Sequence, residues 1–190
     1  MKKTLIFDFD GTLFDTSTAN YLAYSKAIES LGLTIPNDLL TSITSGGNYR
    51  DFLTTVTSDT KIIDCIHERK KELYSSFFNE IIANQNLIDL LIRSSSSFNI
   101  VLFTTASKKT TLMILEQFKI IDYFDLIVAQ EDVQKLKPSS DGYSIIFKKL
   151  NVKASDCLVF EDSQRGVDSA ISSGCDVCLI SWNKKERKHG

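Results

Sequence analysis

No run of apolar residues in this 190-residue chain approaches the length of a membrane span. Met1-Lys2-Lys3 leads into a short apolar run, Leu5-Ile6-Phe7, rather than into a signal-peptide core. An excess of one charge is also lacking. The net charge is −2, so no global field draws nucleic acid or an anionic membrane. The one basic cluster, Lys184-Lys185-Glu186-Arg187-Lys188, is terminal and reads as a solvated tail. Cysteine is sparse: Cys65, Cys157, Cys175 and Cys178. A chain of this size does not need disulfides. Cys175-Asp-Val-Cys178 has C-x-x-C spacing, but it lies on the approach to a strand and no second pair completes a zinc site. The cysteines therefore read as buried structural thiols. Histidine is scarcer still, and His67 and His189, with no obvious partners, read as surface residues. These absences lead us to expect a cytoplasmic protein without nucleic-acid or membrane partners, a monomer or a weak homodimer.

What is present is an ordinary apolar content and enough length for one domain, or one domain carrying a smaller insert. The chain is organised around Thr4-Leu-Ile-Phe-Asp-Phe-Asp-Gly-Thr-Leu-Phe-Asp-Thr16. Side chains alternate along a strand, so Asp8 and Asp10 face one site while Phe7 and Phe9 face packing partners. Two carboxylates at the end of a buried strand are costly without a counter-charge. Mg²⁺ would supply one, because it takes hard oxygen ligands. A plain Asp-Gly turn after a strand is the other reading of the same residues.

Helical spacing follows: Tyr21, Tyr24, Ile28 and Leu31, closed by Gly32. A short helix opens at Pro36, the loop Thr44-Ser-Gly-Gly-Asn48 is flexible, and another helix carries Tyr49 to Leu53. Lys61 to about Ile82 predicts a longer helix with Ile62, Ile66, Leu73, Phe77 and Ile81 inward. Residues 15–84 are too long for an ordinary crossover and suggest an inserted helical subdomain. From Asn99 strands and helices alternate, with Ile100–Phe103, Asp125–Val128, Cys157–Phe160 and Val177–Ile180 as strands. That alternation implies α/β architecture, a parallel sheet with helices on both faces. In such sheets ligands bind beyond the carboxyl ends of the strands. Asp8, Asp10, Thr104, Glu161 and Asp162 all fall there, and Lys137, held out of a helix by Pro138, lies in a strand-to-helix loop. The hydroxyls of Thr104-Thr105 at a strand-to-helix junction suit a phosphate, or simply a helix cap.

These stretches resemble the four motifs of the haloacid dehalogenase superfamily. Asp8-Phe-Asp-Gly-Thr-Leu13 is similar to the first, Thr104 after its strand to the second, Lys137-Pro138 to the third, and Glu161-Asp162-Ser163-Gln-Arg-Gly166 to the fourth. The resemblance covers nearly the whole chain in the family's order. The helical insert resembles the cap of the β-phosphoglucomutase and phosphoglycolate phosphatase branch. It implies a Rossmann-like core of residues 1–14 and 85–190, and a small all-helical cap of residues 15–84 after the first strand.

The resemblance further implies Mg²⁺ and a small phosphorylated metabolite as substrate. Asp8 would be the nucleophile, forming an aspartyl-phosphate. Asp10 would protonate the leaving alcohol and then deprotonate the hydrolytic water. Asp8, the Asp10 carbonyl and Asp162 would hold the metal, with Glu161 helping directly or through water. Thr104 or its neighbour Thr105, Lys137 and Gly11 would hold the phosphate. Arg50 resembles a cap position that contacts the distal end of the substrate in some relatives; it reads equally as a surface arginine. Hydrolysis is the leading expectation. A phosphosugar mutase using the same core, and a non-catalytic binding or regulatory module on the same fold, are the alternatives.

Overall fold

The computed structural model describes residues 3–44 and 48–181. The Gly46-Gly47 loop, the terminal basic cluster and His189 lie outside the described residues. In chain order the elements are β1 (Thr4–Phe7), β2 (Phe14–Asp15), α1 (Ser17–Ser30), α2 (Leu39–Thr44), α3 (Tyr49–Phe52), α4 (Thr60–Leu73) and β3 (Ile82–Ala83). They continue with α5 (Gln85–Ser94), β4 (Asn99–Phe103), α6 (Lys108–Gln117), β5 (Leu126–Val128), α7 (Asp141–Leu150), β6 (Cys157–Glu161), α8 (Gln164–Ser172) and β7 (Asp176–Leu179). The chain divides into two compact units, Met1–Phe14 with Ala83–Gly190, and Asp15–Ile82.

The first unit is a Rossmann-like α/β layer structure. Its five strands lie in the order β5-β4-β1-β6-β7, and the pairings are parallel. Ile6 sits opposite Val101 on one side and Val159 on the other. These residues are apolar because the central strands are covered on both faces, and every β1 residue is buried. On one face Ile6, Val101, Phe103 and Val159 pack with Tyr143 and Ile146 of α7 and Ala170 of α8. Phe7 stacks on Phe160 with ring centroids 4.7 Å apart. The edge strands are less covered: Leu126 and Ile127 of β5 are half-buried, and on β7 Leu179 is 66% exposed. From β1 the chain moves outward to β4 and β5, then returns to β6 and β7 on the other side. The order reverses at β1, so its carboxyl end, beside that of β6, is the switch point where such sheets form a crevice.

The second unit is helical around Tyr24, Ala27, Ile28, Leu39, Leu53, Ile63 and Ile66. Asp59 caps α4 by accepting from the Lys61 and Ile62 amides. The single helix expected from Lys61 to Ile82 instead ends at Leu73 and continues as a 3₁₀ segment, Tyr74–Glu80. Ile66 and Ile81 are buried as expected; Ile63, Tyr74 and Phe78 are buried more deeply than Ile62, Leu73 and Phe77, of which Ile62 and Leu73 still pack half-buried against the core. Both Ile62-Ile63 and Phe77-Phe78 are apolar doublets, which fit two registers equally. At Phe77-Phe78 the tightening to three residues per turn settles which member points inward, whereas Ile62-Ile63 sits in the regular first turn of α4. Asn84, placed with the insert by sequence, caps α5 and donates from its backbone and side chain to the carbonyls of Leu13 and Thr12.

Two readings of the scarce residues need correction. Cys157 and Cys175 are buried, but Cys65 is exposed and Cys178 half-buried. His67 is not a bare surface residue. Its ring stacks on Tyr49 at 3.6 Å between centroids, and Nδ1 lies 2.8 Å from the Tyr24 hydroxyl. Burial, then the nearby Lys71 and Lys70 ammonium groups, hold its pKa down to about 4. An unfolded histidine titrates near 6.5, so the unfolded chain takes up the proton first on acidification. The contribution of neutral His67 is complete above about pH 6.5 and is lost as pH falls towards 4. Urea midpoints followed between pH 7 and 4.5 are therefore expected to fall less steeply for His67→Gln than for the wild type. Equal slopes would remove His67 as a cause.

Candidate active site

β1 delivers Asp8 to the carboxyl edge of the sheet, where the Asp8 amide still pairs with the Phe160 carbonyl at 3.0 Å. β6 ends in Glu161, and β4 in Phe103 followed by Thr104. Lys137 reaches this edge from its loop. It is 4% exposed, and its three ammonium hydrogens match three acceptors: Asp8 Oδ1 at 2.7 Å, Glu161 Oε1 at 2.6 Å and the Phe103 carbonyl at 2.9 Å. Burial pulls its pKa down, but the Asp8 and Glu161 carboxylates outweigh this and hold it above the ordinary lysine value. Lys137 is therefore a buried cation, not the solvated loop lysine that its sequence neighbours equally allow.

Glu161 is committed to architecture on both oxygens. Oε1 meets Lys137, while Oε2 accepts from the amides of Asp162 and Ser163 and from the Ser163 hydroxyl at 3.0–3.1 Å. Ser163 also accepts from the Gly166 amide and so caps α8. A Cβ at Gly166 would overlap the Glu161 carboxylate, so the first turn of α8 seats against Glu161 only because residue 166 is glycine. Asp162 is less enclosed. Thr12 Oγ1 donates to its Oδ1 at 3.2 Å. Gly11 has φ +86°, and a Cβ there would overlap the Asp162 carboxylate, which gives two reasons for a glycine. Its amide is spent on the Phe14 carbonyl at 2.7 Å, so Gly11 contributes by close approach.

The carboxylates outnumber the cation. Oxygens of Asp8, Glu161 and Asp162 lie within 4.8 Å of one another. Burial, with the charges of Glu161 and Asp10 added, pushes Asp8 well above the usual carboxylate range despite Lys137. Burial and then Glu161 push Asp162 up to about 6. A site whose acids are held above their ordinary values by burial and by one another accepts a hard divalent cation readily, and carboxylate oxygens are the donors Mg²⁺ takes. The residues present therefore fit such a metal, with Asp8 and Asp162 as the donors least committed elsewhere.

The remaining sequence candidates fall as follows. Asp10 is exposed, and its charge acts on both Asp8 and Asp162. Thr104 is buried; its hydroxyl oxygen accepts from the Ala106 amide at 3.0 Å, and its proton is left to donate. Thr105 is exposed beside it. Arg50 belongs to the helical unit, where it pairs with Asp64 at 2.8 Å and lies over the Tyr49 ring. Sequence reasoning passed over Thr12, Ser163, Arg165 and Ser169. The first three lie inside quoted motifs, but only contacts seen in the fold reveal what they hold.

The family model for haloacid dehalogenase-like hydrolases matches residues 5–180. The chain belongs to this family. Among curated relatives, the phosphorylated carbohydrates phosphatase of Thermotoga maritima is 29% identical, covering 92% of this chain and 82% of its own length. Protein CbbY of Rhodobacter capsulatus is 32% identical, covering 93% of this chain and 84% of its own. The crystal structure of CbbY from Rhodobacter sphaeroides with phosphate superposes with a TM-score of 0.80 over 100% of this chain and 92% of that one. At 22% identity it speaks for the haloacid dehalogenase-like fold alone.

Proposed function

We propose that this haloacid dehalogenase-like hydrolase is a Mg²⁺-dependent phosphatase that hydrolyses a small phosphorylated metabolite in the cytoplasm through an aspartyl-phosphate. The observation that carries the reading is the buried Lys137 ammonium shared by Asp8 and Glu161, with the Asp162 carboxylate close enough to them for the three to hold a metal ion. The name of the Thermotoga relative makes phosphorylated sugars the first class to test.

In this mechanism Lys137 fixes Asp8 Oδ1, and with it the orientation of the nucleophile. The Asp8 carboxylate attacks phosphorus as the bond to the leaving oxygen breaks. Asp10 gives that oxygen its proton, and the alcohol departs. Asp10, now ionised, takes a proton from a water that attacks the acyl phosphate, releasing inorganic phosphate and regenerating Asp8. Lys137 and Thr104, or Thr105, face the phosphoryl oxygens. Mg²⁺, held by Asp8, Asp162 and the Asp10 carbonyl with Glu161 behind them, supplies the neutralisation that lets an anion be attacked by an anion. Positioning and charge do most of the work in phosphoryl transfer.

Residues 15–84 act as the cap in this reading, with Arg50 as a substrate contact. An anionic substrate must then displace Asp64, an exposed and therefore weakly held partner.

A panel of sugar phosphates and aryl phosphates, assayed for released phosphate with Mg²⁺ and again with excess EDTA, tests the proposal. Release that disappears with EDTA and returns with Mg²⁺ is expected. An isomerised sugar phosphate without phosphate release would replace hydrolysis by mutase chemistry. No turnover on any ester would leave a binding module on an enzyme fold.

A further inference from the structure

The chemistry asks much of Lys137. A four-carbon stem with many rotamers must place one nitrogen against three acceptors at 2.6–2.9 Å. That requires the backbone beneath it to be held still; the loop's own bonds, from the Ser139 amide to the Leu136 carbonyl and from the Lys135 amide to Asp141, leave the carbonyls on either side of Pro138 to be tied from elsewhere, and Pro138 has no amide to donate. Two hydrogen bonds from α8 do the holding. Arg165 Nη2 donates to the Lys137 carbonyl at 2.8 Å, and Ser169 Oγ donates to the Ser139 carbonyl at 2.6 Å. The two donors are one helical turn apart on the same face, and their targets flank Pro138. Ser169 is fully buried, so its hydroxyl is there for that bond and not for solvent.

The same helix also grips Lys137 from the other end. Ser163 caps α8 and holds Glu161 Oε2, while Glu161 Oε1 holds the Lys137 ammonium. Gly166 lets the first turn close on Glu161. One helix therefore sets the lysine's main chain directly and its side chain through Glu161.

We infer that Arg165 and Ser169 are positioning residues, which set where the Lys137 ammonium stands between Asp8 and Glu161 by tying down the carbonyls on either side of Pro138. Neither needs to touch the substrate. The activity part of the inference rests on the phosphatase reading above; the positioning part does not.

Arg165 gives the cleaner test, because it is exposed and its loss leaves no hole in the core. Arg165→Met keeps the length and removes the donors, whereas Arg165→Lys keeps a donor. Amide hydrogen exchange in residues 133–141, measured on the free protein, is expected to be about 5-fold or more faster in Arg165→Met, because the loop opens locally while the fold persists. With p-nitrophenyl phosphate and Mg²⁺, kcat/KM is expected to fall by about 10-fold, since small misplacements at a reacting centre cost on this order. Arg165→Lys is expected to restore both readouts to within about 2-fold of wild type. Ser169→Ala should shift both in the same direction as Arg165→Met. Loop exchange in Arg165→Met equal to wild type would overturn the inference. So would lysine and methionine behaving alike, or an unchanged kcat/KM in an active enzyme. If the wild type turns over no ester at all, the phosphatase reading fails, and the exchange measurement still decides whether Arg165 and Ser169 hold the loop.

Discussion

Lys137→Met is expected to lose both stability and activity, and the stability loss is expected to be partly reversible with metal. Lys137 is 4% exposed and donates to Asp8 and to Glu161, which is fully buried. Removing the ammonium leaves two carboxylates in a low-dielectric site without their shared partner. Breaking a buried pair from one side costs about 3–5 kcal/mol, more than the pair contributes net, because the remaining charge is uncompensated. Methionine fills similar volume, so little of the loss comes from a cavity. In the proposed site Mg²⁺ would bind the same carboxylates, supply the missing counter-charge and favour the folded state by mass action. Urea unfolding of the mutant should therefore show a large loss without metal and a smaller one with millimolar Mg²⁺. Turnover should fall at least about 10²-fold even with metal, the scale of losing one preorganised donor to developing charge. A loss under about 1 kcal/mol without metal would mean that the carboxylates are relieved in another way.

The sheet was legible because its strands are short, continuous apolar runs. Leu5–Phe7, Ile100–Phe103 and Cys157–Phe160 have no polar face to confuse the period, and each ends in a polar residue at the sheet's edge. Asp8, Glu161, Asp162 and Thr104 could be placed from this alone, because strand ends in a parallel sheet share one side. Burial of Lys137 could not. Nothing near Gln134-Lys-Leu-Lys-Pro138 distinguishes a lysine reaching 129 residues back to Asp8 from one in solvent. The first fourth-motif acid, Glu161, was legible as a carboxylate but not as a structural anchor. Its commitment depends on Ser163, Gly166 and Lys137 acting together. In the helical unit the apolar doublets at 62–63 and 77–78 left two registers, and the 3₁₀ segment that settles the second of them has no composition signal of its own. His67 was misread for a similar reason: its partners Tyr24 and Tyr49 lie on other helices and are invisible to local spacing.

The two first-motif aspartates are expected to fail differently when each is made asparagine, and this separates their proposed roles more sharply than any activity measurement. Asp8 is 8% exposed and pinned to Lys137, as a nucleophile aimed at one phosphorus atom must be. Asp10 is exposed and close enough for its charge to act on Asp8 and Asp162, which suits a group that must give up a proton and take another. Asp8→Asn keeps the shape but removes the attacking oxygen anion, so no phosphoryl-enzyme should form from any ester. Asp10→Asn keeps the nucleophile and loses the acid and the base. General acid–base assistance is typically worth about 10²–10⁴-fold, and the loss depends on the leaving group. An aryl phosphate departs with little protonation, so Asp10→Asn should still be phosphorylated by it. The acyl phosphate should then accumulate, because the attacking water has lost its base. An alkyl phosphate, whose alkoxide needs the proton, should leave Asp10→Asn nearly unlabelled. Acid-quenched samples taken on the millisecond to second scale with ³²P-labelled esters would show the two patterns as bound counts. Label on Asp8→Asn with none on Asp10→Asn would reverse the assignment. Equal label on both would place the nucleophile on another residue.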